Sequence, residues 1–433
     1  MKALDCRAVF NQPYSVGVEL AVNAVTDAYL LLDAPTCSLY RAGYIQGSHD
    51  STSTLWDSEG AHRVQISSTM TEKIVSGNLP DLALRLGRLA AAPGCGAVLA
   101  AGFPMARIAG TPYQTIWDSL APRPKVPFFP VLGGTISDDW LDGYAHTLLA
   151  LAKGLPLPKA ARRRTDVAIV GYMHDRGEHD HVANLAELRR MLAAIGLNLV
   201  SVWPNGAPLA DLRAAAGAGA ILSFPYARDA AARLAGRLGV PLVECGLPLG
   251  LGASADWLAQ VGTALGRGAR AEAFARKERA RLLPRLEWAV EELFLHSEFI
   301  FGGDPVLLRP LARQLSELGG RLRAAFVMAG AHHRREFGAW DDLPFPVYEA
   351  PSEDRRAELL RGMHAADGPP DCQIGVQPWE RDDKFWRRAV ELGFPSYHSH
   401  AFHDRPYLGF EGALCLLSRI AEELLWSRRL RRG

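Results

Sequence analysis

The side chains able to do chemistry in this 433-residue chain fall into one set of cysteines and two histidine-rich stretches. The six cysteines are Cys6, Cys37, Cys95, Cys245, Cys372 and Cys415. In a long chain with no secretory signature they are expected to be free or metal-bound, not disulfide-paired. Cys37 closes the short run Asp33-Ala34-Pro35-Thr36-Cys37 behind an apolar, strand-like stretch. Such strand ends are where α/β proteins place ligands. A buried structural thiol is the competing reading of Cys37. Cys95 precedes a strand-like stretch, and Cys372 and Cys415 fall in an expected strand and an expected helix, so packing roles are expected for all three. The stretch from His174 to His181 mixes His, Asp and Glu, which are ligands for zinc-like ions. It also follows Gly171 and leads into a helix, so a capping and solvated loop is the expectation, with substrate contact as the alternative. His398, His400 and His403 are spread along Tyr397–Asp404. On a strand, alternation would put all but one on a common face, a candidate for proton delivery. Arg405 beside them could hold an anionic group such as a carboxylate.

Composition narrows the classes. Hydrophobic residues make up 48% and charged residues 22%, ordinary for a globular protein. The net charge of +1 gives no electrostatic case for a nucleic-acid partner. No run of about 18 apolar residues suggests a membrane span. The N-terminal stretch lacks the apolar core of a signal peptide, so a cytoplasmic location is expected.

Strand–helix alternation runs through the chain and argues for parallel βαβ units. Strands are expected at Ala28–Asp33, at 97–101, at 166–170, at Asn198–Trp203, at 220–224, at 241–244, at 298–301, at 324–329, at 372–376 and before Tyr397. Helices are expected at 78–92, 140–153, 183–195, 306–318 and 411–428. A long helical run over 255–293 contains Pro284, which should kink or break it. The basic, proline-containing stretch 156–164 reads as a linker. Domains are expected at 1–160, 161–293 and 294–433.

Six pieces of sequence, in order, resemble the nitrogenase component 1 superfamily. Gln12-Pro13, Gly17 and the spacing from Asn11 to Cys37 and on to Phe103 are similar to the three cluster-cysteine positions, read here as Asn, Cys and Phe. Ser67-Ser68-Thr69-Met70-Thr71-Glu72, followed by Gly77-Asn78, is similar to the segment between the second and third positions. Val240-Pro241-Leu242 to Pro248-Leu249-Gly250, then Asp256-Trp257-Leu258, resembles a further motif, and Glu278-Arg279 the start of the next helix. Arg405-Pro406-Tyr407-Leu408-Gly409-Phe410-Glu411-Gly412-Ala413 resembles the C-terminal motif.

The resemblance implies an α/β fold of three doubly wound, Rossmann-like parallel-sheet domains. It also implies a role as a β-type subunit, like those of protochlorophyllide and chlorophyllide reductases or of the nitrogenase cofactor-assembly scaffold. Leu408 stands where the cofactor histidine of nitrogenase would be, and Cys245 is offset from the cofactor cysteine, so no such cofactor is expected on this chain. Cys37 would give one ligand to an iron–sulfur cluster, of the 4Fe–4S kind, shared with a homologous α-type subunit. One thiolate cannot hold such a cluster, which takes about four ligands. Cys6 could swing in as a substitute ligand, and Asn11 is expected to cap a turn. An iron-protein-like ATPase would use the ATP and deliver electrons for a small-molecule substrate, a tetrapyrrole among the options. This chain carries no G-x-x-x-x-G-K-[ST] phosphate loop, in keeping with that division of labour. A scaffold for metallocluster assembly and a homologue without a cluster are the rival readings.

Overall fold

The computed structural model describes residues 10–38, 43, 45–56, 62–69, 72–73, 77–133, 136–376 and 388–432. Cys6, Met70 and Thr71 lie outside the described residues. Three parallel sheets organise the chain, as the resemblance implies. The first has strands β1 (Ala28–Asp33), β2 (Val64–Ile66), β3 (Ala97–Gly102) and β4 (Phe128–Val131) in the order β2-β1-β3-β4. The second has β5 (Arg163–Val170), β6 (Asn198–Trp203), β7 (Ala218–Ser223) and β8 (Leu242–Glu244) in the order β6-β5-β7-β8. The third has β9 (Glu298–Gly303), β10 (Arg321–Val327), β11 (Val347–Glu349), β12 (Cys372–Gly375) and β13 (Ala389–Val390) in the order β11-β10-β9-β12-β13. In every sheet the chain moves outward on one side of its first strand and then returns to the other. That reversal opens a crevice at the C-terminal strand ends, where doubly wound proteins bind ligands. The first two sheets lie in one compact unit, Gln12–His181 with Gly196–Cys245, and the third lies in another that includes Val182–Ile195 and residues from Gly246 onward.

The central strands are apolar throughout because both faces are covered. Every residue of β1 and β3 is buried, the mark of a strand inside a parallel sheet. On one face Tyr29, Leu31, Val98 and Ala100 pack with Leu82, Leu86 and Leu89 of the Leu79–Ala90 helix. The helices Tyr14–Asn23 and Trp140–Gly154 cross closely in the same unit. A Cβ on Gly17 would come 1.7 Å from Trp140 O, and one on Gly143 would come 2.0 Å from Tyr14 O. The last carbonyls of the Tyr14–Asn23 helix are collected by a buried guanidinium. Arg63 donates to the carbonyls of Val22, Asn23, Val25 and Ala28, satisfying groups that a helix end leaves open. Burial lowers its pKa to about 10.

Several expectations need correction. The run expected as one helix over 255–293 is two, Leu251–Ala264 and Gly268–Ala289, and the break falls at Gly266, not at Pro284. Gly266 takes φ +69, which glycine adopts without strain, whereas Pro284 removes one N–H and is accommodated inside the second helix. The stretch Tyr397–Asp404 is irregular and forms no strand. The Glu391 carboxylate accepts from the amides of Tyr397 (3.0 Å) and His398 (2.9 Å), which turns the backbone away from a ladder. The short strands β2 and β11 were not expected, since three residues give no readable period, whereas β13 is a strand in the segment before Tyr397.

Two glycine substitutions should separate packing from propensity. Gly17→Ala should cost at least about 3 kcal/mol, because backbone atoms of the facing helix would have to move. Gly87→Ala, in an open helical position with nothing within 4 Å, should stabilise by about 0.5–1 kcal/mol. Denaturant unfolding of both variants tests this, and equal effects would contradict the helix-crossing account.

Candidate functional site

The C-terminal edge of the first sheet is built around one carboxylate. Asp33 ends β1 beside Gly102 of β3, and the Phe103 amide donates to the Asp33 carbonyl at 3.0 Å. The Asp33 side chain is only 3% exposed. Its Oδ1 accepts from Ser67 Oγ and Thr69 Oγ1, both at 2.7 Å, and its Oδ2 accepts from Tyr113 Oη at 2.9 Å. The Ala34 amide donates to Ser67 Oγ at 3.1 Å, and the Thr69 amide to the Ala34 carbonyl at 3.0 Å. The segments following β1, β2 and β3 are therefore fastened to each other through Asp33. Gly102 makes room for this: a Cβ there would lie 2.4 Å from Tyr113 Oη. Burial and the Asp33 charge push the Tyr113 phenol far above its usual range, so it stays a donor.

Cys37 is exposed in the turn that follows Asp33-Ala34-Pro35, and Phe103 is half-buried at the neighbouring strand end. The structure thus gathers the second and third motif positions at one edge, with a thiol at one and a ring at the other. Asn11 is half-buried in the bend two residues before Pro13, the N-cap position of the Tyr14–Asn23 helix. Among the described residues, no set of three or more metal-ligating side chains includes Cys37. The described donors of this chain therefore do not by themselves fit a four-ligand cluster. The other described cysteines are poorly placed to ligate. Cys245 is buried with its thiol against the Ser223 carbonyl at 3.5 Å. Burial raises the thiols of Cys372 and Cys415 and pushes Cys95 up to about 11. At the ends of β3 and β4 a cleft of about 450 Å³ opens beside Arg107, Thr111 and Tyr113. Ile108, Leu132 and Ile136 on its rim are 74%, 75% and 76% exposed.

The crevice of the second sheet holds the His174–His181 stretch, which is packed inside except at Gly177 and His179 and is not solvated as expected. His174, Asp175, Arg176, Glu178, Asp180 and His181 are all buried. Asp175 lies between two imidazoles: its Oδ1 is 2.6 Å from His181 Nε2 and its Oδ2 is 3.2 Å from His49 Nε2. Tyr172 Oη is 2.7 Å from His181 Nδ1, and the His174 and His181 rings stand 4.8 Å apart. Asp50 joins from the same side, accepting from the Gly177 amide at 3.2 Å and from Asn23 Nδ2 at 2.8 Å. His49 and Asp50, missed in the sequence, cover the stretch and explain its burial. Their signal was slight: an isolated His-Asp pair far away in the chain. Burial alone would raise Asp175, yet His181 and His49 outweigh it and hold the carboxyl well below its usual range. Burial would lower His181, but Asp175 raises it. Burial and the His181 charge together pull His174 down to about 3.

In the other unit, the pieces of the C-terminal motif meet as clamps. Asn184 Oδ1 accepts from the amides of Tyr407 (2.8 Å) and Leu408 (3.0 Å), and Gly409 pairs with Leu249. Leu408 is core, 2% exposed. Buried Glu278 accepts from Arg190 at 2.9 Å and Arg281 at 2.7 Å, and Arg281 also bonds Glu411. His398 and His403 are exposed and His400 is half-buried on the irregular loop, and Arg405 donates to the His400 carbonyl at 2.6 Å. The common histidine face expected from strand alternation does not form, because the segment is not a strand.

The histidine cluster sets a pH dependence. His174 is lowered in the folded chain from about 6.5 to about 3, so the unfolded chain binds a proton there first. Its contribution to stability is complete above about pH 6.5 and is lost as the pH falls toward 3, and lowered Asp175 adds a further loss below about pH 4. Raised His181 acts on the other side, with a contribution lost as the pH rises through its folded value. The urea midpoint should therefore fall between pH 7 and pH 5, and His174→Gln should flatten that limb. Parallel curves for the two proteins would contradict the assignment.

Comparison with known proteins accords with this architecture. A nitrogenase molybdenum-iron protein beta chain from Sinorhizobium fredii (strain NBRC 101917 / NGR234) is 25% identical over 273 residues, covering 56% of this chain and 51% of that protein. The chain therefore spans about half the length of the curated relative it matches. Two solved structures share the fold: nitrogenase Cp1 at pH 6.5, with TM-score 0.79, 16% identity and coverage of 100% of this chain and 95% of the other, and nitrogenase Cp1 at pH 5, with TM-score 0.72, 12% identity and coverage of 98% and 90%. The family model for nitrogenase component 1 type oxidoreductases matches residues 14–425, and the chain belongs to that family.

Proposed function

We propose that this chain is the β-type subunit of a nitrogenase-like, ATP-dependent reductase in which Cys37 gives one thiolate to an iron–sulfur cluster shared with a homologous α-type subunit. The observation that carries the reading is the placement of Cys37. It is the exposed thiol among the described cysteines, and it stands at the strand-end edge that Asp33 fastens. A thiolate presented outward suits a ligand set completed by another chain, since the donors here are too few by themselves. The exposed apolar side chains Ile108, Leu132 and Ile136 at the ends of the neighbouring strands suit burial against that partner. When bound, such a cluster would supply one-electron transfer to a small-molecule substrate, with ATP spent by an iron-protein-like partner. The chain's own work is to hold Cys37 in place and to bury that edge. Asn11 and Phe103, which carry no thiolate, favour a second reading: a homologue that assembles with the same partners without a cluster of its own. A scaffold that holds a maturing cluster would share the Cys37 contact and differ by lacking turnover.

Iron and acid-labile sulfide, measured after anaerobic purification with a three-cysteine sister chain, test the reading. The expected result is iron only in the complex, reduced at least about twofold by Cys37→Ala while the two chains still co-purify. Iron absent from the complex, or unchanged in Cys37→Ala, would overturn the shared-ligand role. Turnover with ATP and the iron-protein partner then separates reductase from scaffold.

A further inference from the structure

A second cavity, of about 750 Å³, lies in the unit of the third sheet, at the opposite end of the strands from the crevice. That volume is within the range of small-molecule sites, about 300–1,000 Å³. One wall is the helix Pro305–Glu317, which presents Arg309, Arg313 and Ser316 at helical spacing. The facing wall is the start of β10, with Arg321 and Arg323 on either side of buried Leu322. Pro344-Phe345-Pro346 closes the third side.

The charges are distributed unevenly. Four guanidiniums line the cavity against one carboxylate, Asp367. The carboxylates that pair with the arginines stand off its wall. Asp342 holds Arg309 at 2.8 Å, Glu317 holds Arg313 at 2.8 Å, and Glu298 accepts from Nε of both Arg321 and Arg323 at 2.8 Å. These bonds orient the arginines without using every donor. Arg313 engages Glu317 and Asp256 through Nε and Nη1, and its Nη2, which lies over Gly252, has no hydrogen bond among the described residues. Arg321 engages Glu298 through Nε and Nη2, leaving Nη1 without one among the described residues. Arg323, by contrast, spends Nη1 on the Gly368 carbonyl, and Arg309 uses all three of its nitrogens on Asp342, Ala339 and Phe337. Two guanidiniums, held from behind by carboxylates, thus keep open N–H groups beside an apolar floor. Planar forks of this kind suit carboxylate and phosphate oxygens.

We propose that this cavity binds an organic anion, with a carboxylate or phosphate head on Arg313 and Arg321 and an apolar ring or chain over Leu322 and Phe345. The site is independent of Cys37 and of any metal. Its test uses the full chain with 2-naphthoate, 2-naphthyl phosphate and the neutral 2-naphthamide, followed by ligand fluorescence. At least one anion should bind saturably and one-to-one, at least about tenfold tighter than the amide, and more weakly as salt is raised. Binding of only the carboxylate or only the phosphate would identify the head group. Arg313→Gln/Arg321→Gln should weaken the anion about tenfold while shifting the thermal midpoint by only a few degrees, because the Arg313 pairs are at the surface and Glu298 keeps Arg323. Phe345→Ala should weaken the anion and the amide alike. No saturable binding of either anion, equal binding of the amide, or wild-type affinity in the double variant would overturn the proposal.

Discussion

A buried carboxylate with no cation paired to it among the described residues, Asp33, is the constraint on which the C-terminal edge of the first sheet depends. Moving a carboxylate out of water costs several kcal/mol unless donors replace the solvent. Here the donors are the hydroxyls of Ser67 and Thr69 and the phenol of Tyr113, brought in from the segments behind two other strands. None of those segments can shift without stranding a charge. The turn that carries Cys37 inherits this rigidity because it begins at Ala34, whose amide and carbonyl are both tied to the Ser67–Thr69 segment.

The same physics recurs at the other polar centres, with different partners. Asp175 is neutralised by two imidazoles, and Glu278 by two guanidiniums. Each sits where segments remote in sequence meet, so each converts the cost of burial into specificity for one arrangement. Family motifs at such places need not be catalytic. Tyr407, Leu408 and Gly409, in the stretch that resembles the family's C-terminal motif, act here as a backbone clamp on Asn184 and Leu249. The chain has the architecture of its family, while the positions that resemble its first and third cluster cysteines read Asn11 and Phe103.

Much of the fold was legible because central parallel strands read as apolar runs: β1 and β3 could be seen directly. The short edge strands could not, since their residues carry no period and their pairing is a tertiary fact. The site was legible only in part. Cys37 announced itself by residue type and by the Asp33-Ala34-Pro35 turn before it. Asp33 did not, because an aspartate at a strand end looks like an ordinary turn residue until Ser67, Thr69 and Tyr113 converge on it. The His174–His181 stretch misled for a related reason. Its polarity suggested solvent, but the groups that cover it, His49 and Asp50, come from a loop more than a hundred positions earlier. The histidines before Arg405 misled through a false assumption of strand alternation.

The most direct test of the central claim is amide hydrogen exchange, resolved by residue, in wild type and Asp33→Asn. If Asp33 fastens the edge, exchange should quicken at Ala34, Thr69 and Phe103 while the amides in the middle of β1 and β3 keep their protection. Unchanged exchange at those three amides would show that the edge, and the turn bearing Cys37, is held by something else.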